Sequence, residues 1–138
     1  MSHESLVRAI KEIVNLARSG KLDESFARYQ ALFGSLEFIQ HKPEDQRQAL
    51  RLMILAKGAP DRPSPAMLEA HRAAVGPLTA LVSTYAEPAD HELLGVCHVV
   101  LGDERAASEV FRAGLTLERA RNPQSDLCGT LMKRVSLL

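Results

Sequence analysis

Among the residues that could do chemistry, His91, Cys97 and His98 stand closest together. Imidazole nitrogens and thiolates ligate zinc, and a thiol beside an imidazole is a candidate nucleophile. His91 and His98 are seven residues apart and share a helical face, whereas Cys97 points elsewhere. One shared pair falls short of the convergent tetrahedral set that zinc needs. His91-Glu92 also lacks the second histidine one turn later that a zincin helix requires. Adjacent helical residues do not face each other, so His98 is badly placed to deprotonate Cys97, and no glycine-rich turn nearby offers oxyanion donors. Cys97 and Cys128 read as small buried hydrophobes and His98 as a partly buried packing residue. Gly58-Ala59-Pro60 and Gly76-Pro77 lack the spacing of a phosphate-binding loop. No catalytic residue, metal site or cofactor is expected.

These residues sit in a chain whose bulk properties point to helices. Its 138 residues suit one domain with a sizeable core. Apolar residues make up 46% and charged residues 25%, the balance of a globular rather than a disordered chain. Seventeen basic residues match seventeen acidic ones, so no net field favours nucleic acid or an anionic membrane. Abundant Ala and Leu with few aromatics favour close helix–helix packing. No apolar run approaches the roughly 18 residues of a membrane span, and the N-terminus does not read as a signal peptide. Two cysteines are no disulfide framework, which makes the cytoplasm the expected compartment.

Periodicity predicts seven helices and no strand. Leu6, Ile10, Ile13, Val14 and Ala17 form the stripe of a first helix, capped by Ser2 or Ser5 and ended by Gly20. On its outer side Arg8, Lys11 and Glu12 read as ordinary surface charges. A second helix is expected from Leu22 to Gln40, with Phe26, Tyr29, Leu32, Phe33, Leu36 and Ile39 inward and Gly34 as a weak point. A third runs from Pro43 to Gly58 and ends before the proline-rich stretch Ala59–Pro65. The fourth starts on Ser64-Pro65 and should kink or split at Gly76-Pro77. Asp90 should cap the fifth, Asp103 should open the sixth, and Ser125 or Asp126 should cap the last. A mild basic bias near the C-terminus, Arg112 to Arg134, reads as a solvated helix face.

Gly20, Gly58 and Gly102 each end one helix and precede another, at intervals of 38 and 44 residues. The third unit carries Leu94-Gly95, His98, Gly102, Ala107, Phe111 and Gly114; the first carries Gly20, Ser25 and Tyr29, with Ile13 in place of the helix glycine. In this order the residues resemble the tetratricopeptide repeat. His98 replaces the usual aromatic and His91 the usual first tryptophan. The likeness is specific only across Asp90 to Arg121 and covers the rest loosely.

The resemblance implies one domain over residues 1–138: hairpins at about 2–40, 43–87 and 89–121 in a right-handed superhelical stack, with a capping helix from about 124 to 138. It also implies a non-enzymatic protein-interaction module, an adaptor, chaperone or regulator, with a concave groove lined by the first helix of each hairpin. By register that groove holds Val7, Ile10, Val14 and Ala17 with Arg18 nearby, then Gln48, Leu52 and Leu55, then Glu92, Val96, Val99 and Val100. Such a face fits an apolar segment of a protein or peptide partner. Two alternatives stay open: the face is core, covered by the C-terminal helix or by a second subunit in a homo-oligomer, or the bundle binds a small ligand near Gly76-Pro77. No nucleic-acid partner and no membrane insertion are expected.

Overall fold

Ser2 opens the first helix by accepting a hydrogen bond from the Ser5 amide, in the computed structural model, which describes residues 2–138. That helix, α1 (His3–Arg18), is followed by α2 (Leu22–Phe33), a 3₁₀ turn (Phe38–Gln40), α3 (Pro43–Ile54), α4 (Pro65–Tyr85), α5 (Pro88–Val100), α6 (Glu104–Arg121) and α7 (Asp126–Ser136). The fold is all-α, with seven helices and no strand among the described residues. The same capping chemistry recurs. Ser64 accepts from the Met67 amide, Asp103 from Ala106 and Ser125 from Cys128.

Two of the turns are built alike. Gly20 and Gly102 hold φ of +81° and +82°, which glycine reaches without a Cβ penalty. After α1 the Lys21 amide donates to Leu16 and the Gly20 amide to Ala17; after α5 the Asp103 amide donates to His98 and the Gly102 amide to Val99. This pair of bonds closes the last turn and reverses the chain.

The chain divides into two compact units, Met1–Pro77 and Leu78–Leu138. In the first, α1 packs on α2, and Leu6 and Ile13 are its buried residues. Tyr29, Phe33 and Phe38 form an aromatic column with centroid spacings of 5.4 and 5.1 Å. Phe38 explains why α2 stops at Phe33 and not at Gln40. The Ser35 hydroxyl donates to the Leu32 carbonyl and accepts from the Phe38 amide, which turns the fully buried Phe38 ring back onto Phe33. Leu36 and Ile39, expected on the buried stripe, are thrown outward, Leu36 to 78% exposure. The Gln46 carboxamide donates to the Ile39 and His41 carbonyls and ties α3 to this turn. In α4, His71 lies against Phe26 at 6.0 Å, and its Nδ1–H donates to the Met67 carbonyl at 2.8 Å.

In the second unit α5 and α6 form the most closely packed pair, and α7 lies on α6 and touches α5. A Cβ at Gly95 would overlap the Phe111 ring, and one at Gly114 would stand 2.6 Å from the His91 Cβ. These absences of side chain let the helices approach. Ala107, Phe111 and Leu131 form the buried centre, with Val96, Leu115, Leu127 and Val135 around it.

Three more boundaries differ from expectation. α3 ends at Ile54, four residues before Gly58. α4 is not split at Gly76-Pro77: it runs as one helix with Pro77 inside it, where burial of Pro77, Ala74 and Leu78 offsets the missing amide donor. Asp90 does not cap α5. Pro88 takes the first helical position, where its fixed φ fits, and Asp90 is buried in the first turn.

Replacing Gly95 with Ala should cost about 2 kcal/mol through overpacking. Gly129→Ala, at a helical glycine with open space around it, should instead stabilise by about 0.5–1 kcal/mol. Denaturant unfolding of the two variants checks the opposite signs. His71 gives a pH dependence. Burial, only partly countered by its bond to Met67, holds its pKa below the ordinary histidine value. The unfolded chain therefore takes up a proton first. The stability contributed by neutral His71 is complete above about pH 6.5 and is lost as pH falls toward the depressed folded value. Unfolding curves between about pH 7 and 5 should show that slope, and His71→Gln should flatten it.

Candidate functional site

The apolar stripe of α1 is wider than α2 covers. Leu6 and Ile13 are buried, while Ile10 and Val14 are half-buried and Val7 is 38% exposed. α3 repeats the pattern: Ala49, Leu50 and Met53 are buried, Leu55 is half-buried, and Leu52 is 45% exposed. The two helices meet at their N-terminal ends, where His3 Nδ1 lies 3.2 Å from the Asp45 carboxylate. Between them is a recess of about 230 Å³ walled by His3, Leu6, Val7, Ile10 and Lys11 on one side and Asp45, Gln48, Ala49 and Leu52 on the other. The surface continues past Ile10 and Val14 to Asn15 and Arg18, with Leu52 still opposite. Beyond Leu52 it spreads along α3 over Glu44, Arg47, Gln48, Arg51, Leu55 and Ala56.

Of the expected groove residues, Val7, Ile10, Val14, Arg18, Gln48, Leu52 and Leu55 therefore line one connected surface, with Leu52 at its centre. Glu92, Val96 and Val99 lie on α5 in the other unit, where α7 sets their surroundings. Arg134 of α7 meets the Glu92 carboxylate at 2.7 Å and places its guanidinium 6.0 Å from the Phe111 ring centroid. Val96 packs toward the cluster containing Leu131, and Val99 is exposed.

Sequence reasoning missed the rim. Lys11 was readable as groove-facing, since it stands four residues after Val7 and three before Val14. Asp45 stands three residues before Gln48 and seven before Leu52, on the same face of its helix. Glu12 does face away, and pairs with Arg28 of α2 at 3.3 Å. Both rim cations toward the helix C-termini, Arg18 and Arg51, are exposed.

The residues with chemical potential are placed differently. His91 is buried beneath Gly114, and its Nδ1–H donates to the Glu87 carbonyl at 2.8 Å. Cys97 is fully buried, and desolvation pushes its thiol up to about 12. A thiol held that high carries almost no thiolate near neutrality. His98 is half-buried, and Cys128 is buried and unpaired. Among the described residues no group of three or more His, Cys, Asp or Glu side chains is gathered to hold a metal ion.

Both thiols should resist a soluble disulfide reagent at about pH 8 while the chain is folded, and both should react at once in denaturant. Rapid native labelling of Cys97 would show that its burial is not maintained in solution. No family model, no curated protein and no solved structure matches this chain.

Proposed function

We propose that this chain is a non-enzymatic, tetratricopeptide-like interaction module that holds an apolar segment of a partner protein against α1 and α3. The observation that carries the reading is the solvent-facing apolar floor of Val7, Ile10, Val14, Leu52 and Leu55 on two neighbouring helices. A connected apolar surface of this kind, rimmed by polar residues, is what interaction sites leave open when unoccupied. Its elongated form suits a helix or extended segment whose side chains enter at successive turns. Gly95, Ala107 and Gly114, the small positions of the repeat pattern, sit at close helix contacts or in the buried centre, which supports the repeat-like reading locally. Two buried, unpaired cysteines fit a reducing compartment, and adaptor, chaperone or regulator work in the cytoplasm is part of the proposal. No helix among the described residues is long and apolar enough to cross a membrane.

The test is a methyl NMR titration with a synthetic amphipathic peptide, paired with light scattering of the free chain. A constant mass near 15.1 kDa is expected, with shifts concentrated on Val7, Ile10, Val14, Leu52 and Leu55. Leu52 is exposed, so Leu52→Glu should keep the helical circular dichroism and weaken the peptide by about 10–100-fold. A mass that doubles with concentration and is restored to monomer by Leu52→Glu would give the face to a second copy instead. Shifts spread elsewhere would remove the groove from the proposal.

A further inference from the structure

The walls of the groove are not electrostatically neutral, although the whole chain is, with seventeen charges of each sign. Lys11, Arg18 and Arg51 border the apolar floor, are exposed, and form no ion pair among the described residues. Arg18 and Arg51 stand toward the C-terminal ends of α1 and α3, whereas Lys11 lies mid-helix and also lines the recess that holds Asp45, and Arg47 lines the α3 surface that holds Glu44. Glu44 and Asp45 occupy the first turn of α3, and Asp45 is already engaged by His3. Helix dipoles explain part of this pattern, because Arg18 and Arg51 stand in last turns and Glu44 and Asp45 in a first turn. They do not explain all of it. Two helix C-termini offer about half a negative charge each, so roughly two of the three cations remain uncompensated. Lys11 lies mid-helix, where the dipole gives no reason for it.

We propose that the partner segment carries acidic residues beside its apolar stripe, and lies with its acidic end over the C-terminal turns of α1 and α3. This rests on the groove reading above. Acidic side chains there would meet Lys11 and Arg18 on α1 and Arg51 on α3 while their apolar neighbours cover Ile10, Val14 and Leu52. In the reverse orientation it would meet Glu44 and Asp45. Leu52 and Leu55 between the cations argue for a protein segment rather than a bare phosphate backbone, which would leave that apolar floor uncovered.

Three fluorescent peptides with one shared apolar stripe test this, flanked at one end by Glu, Gln or Lys. Anisotropy at about 50 mM salt should rank Glu tightest, about tenfold over Gln, with Lys weakest, and the spread should shrink at about 300 mM salt. The variant Arg18→Glu, Arg51→Glu, shown folded by circular dichroism, should reverse the ranking. A nitroxide on the acidic end should broaden the Val14 and Leu55 methyls more than Val7; the opposite pattern would overturn the orientation. Equal binding of all three peptides, lost in Leu52→Glu, would overturn the charge selection and leave the groove reading standing. Binding by none of them, or binding indifferent to Leu52→Glu, would sink both.

Discussion

A helix reversal through one left-handed glycine is the constraint on which this chain's architecture depends. Gly20 and Gly102 close the turns after α1 and α5 with the same two backbone bonds, and each sends the following helix back along its predecessor. A substituted residue would need to enter the left-handed region against its own Cβ. Once the reversal is made, the spacing of the pair is set by side-chain size at the contact. In α5 and α6 that size falls to zero at Gly95 and Gly114, so Phe111 and His91 enter the other helix's surface. The hairpin then has one covered flank and one flank that remains apolar.

The two units treat that remaining flank in different ways. In the second, α7 lies across it: Leu131 enters the cluster with Phe111 and Val96, and Arg134 meets Glu92. The charge and the apolar stripe are satisfied by one helix, and a charge pair at 2.7 Å with only partial exposure is screened little. In the first, the stripe of α1 exceeds what α2 buries. Val7 and Leu52 stay exposed, and Lys11, Arg18 and Arg51 form no ion pair among the described residues. The first unit has no counterpart among its own helices to the apolar face and complementary charge that α7 supplies in the second.

Local signals were readable in the sequence because they act within a few residues. Ser2, Ser64, Asp103 and Ser125 cap helices through their own chain neighbours, and the glycine turns need nothing beyond the last helical turn. Where the reading failed, a distant contact decided. Nothing in the period of α2 announces that Phe38 will fold back on Phe33, and once it does, Leu36 and Ile39 must leave the stripe. Pro77 stays inside α4 because its surroundings are buried, which propensity does not know. Helical register put Val7, Ile10 and Val14 on one face of α1 and Leu52 and Leu55 on one face of α3, but left open whether α7 covers Glu92 and Val96. An amphipathic stripe states that it will be covered and not by what.

That distinction bears on how the groove residues are held. Leu6, Ile13, Ala49 and Met53 face inward and fix the helices; Val7, Ile10, Val14 and Leu52 lie on the same helices but give the folded chain less burial. A polar replacement at Leu52 removes little buried area from the monomer, since almost half of its surface already faces water. Stability alone is therefore a weak reason for leucine there, and weaker still for three cations around it that pair with nothing in the described chain. An apolar floor supplies affinity without direction, and charges at its rim supply direction with little affinity. Around the apolar residues of α1 and α3, Arg18 and Arg51 stand in last turns and Glu44 and Asp45 in a first turn, with Lys11 and Arg47 between them.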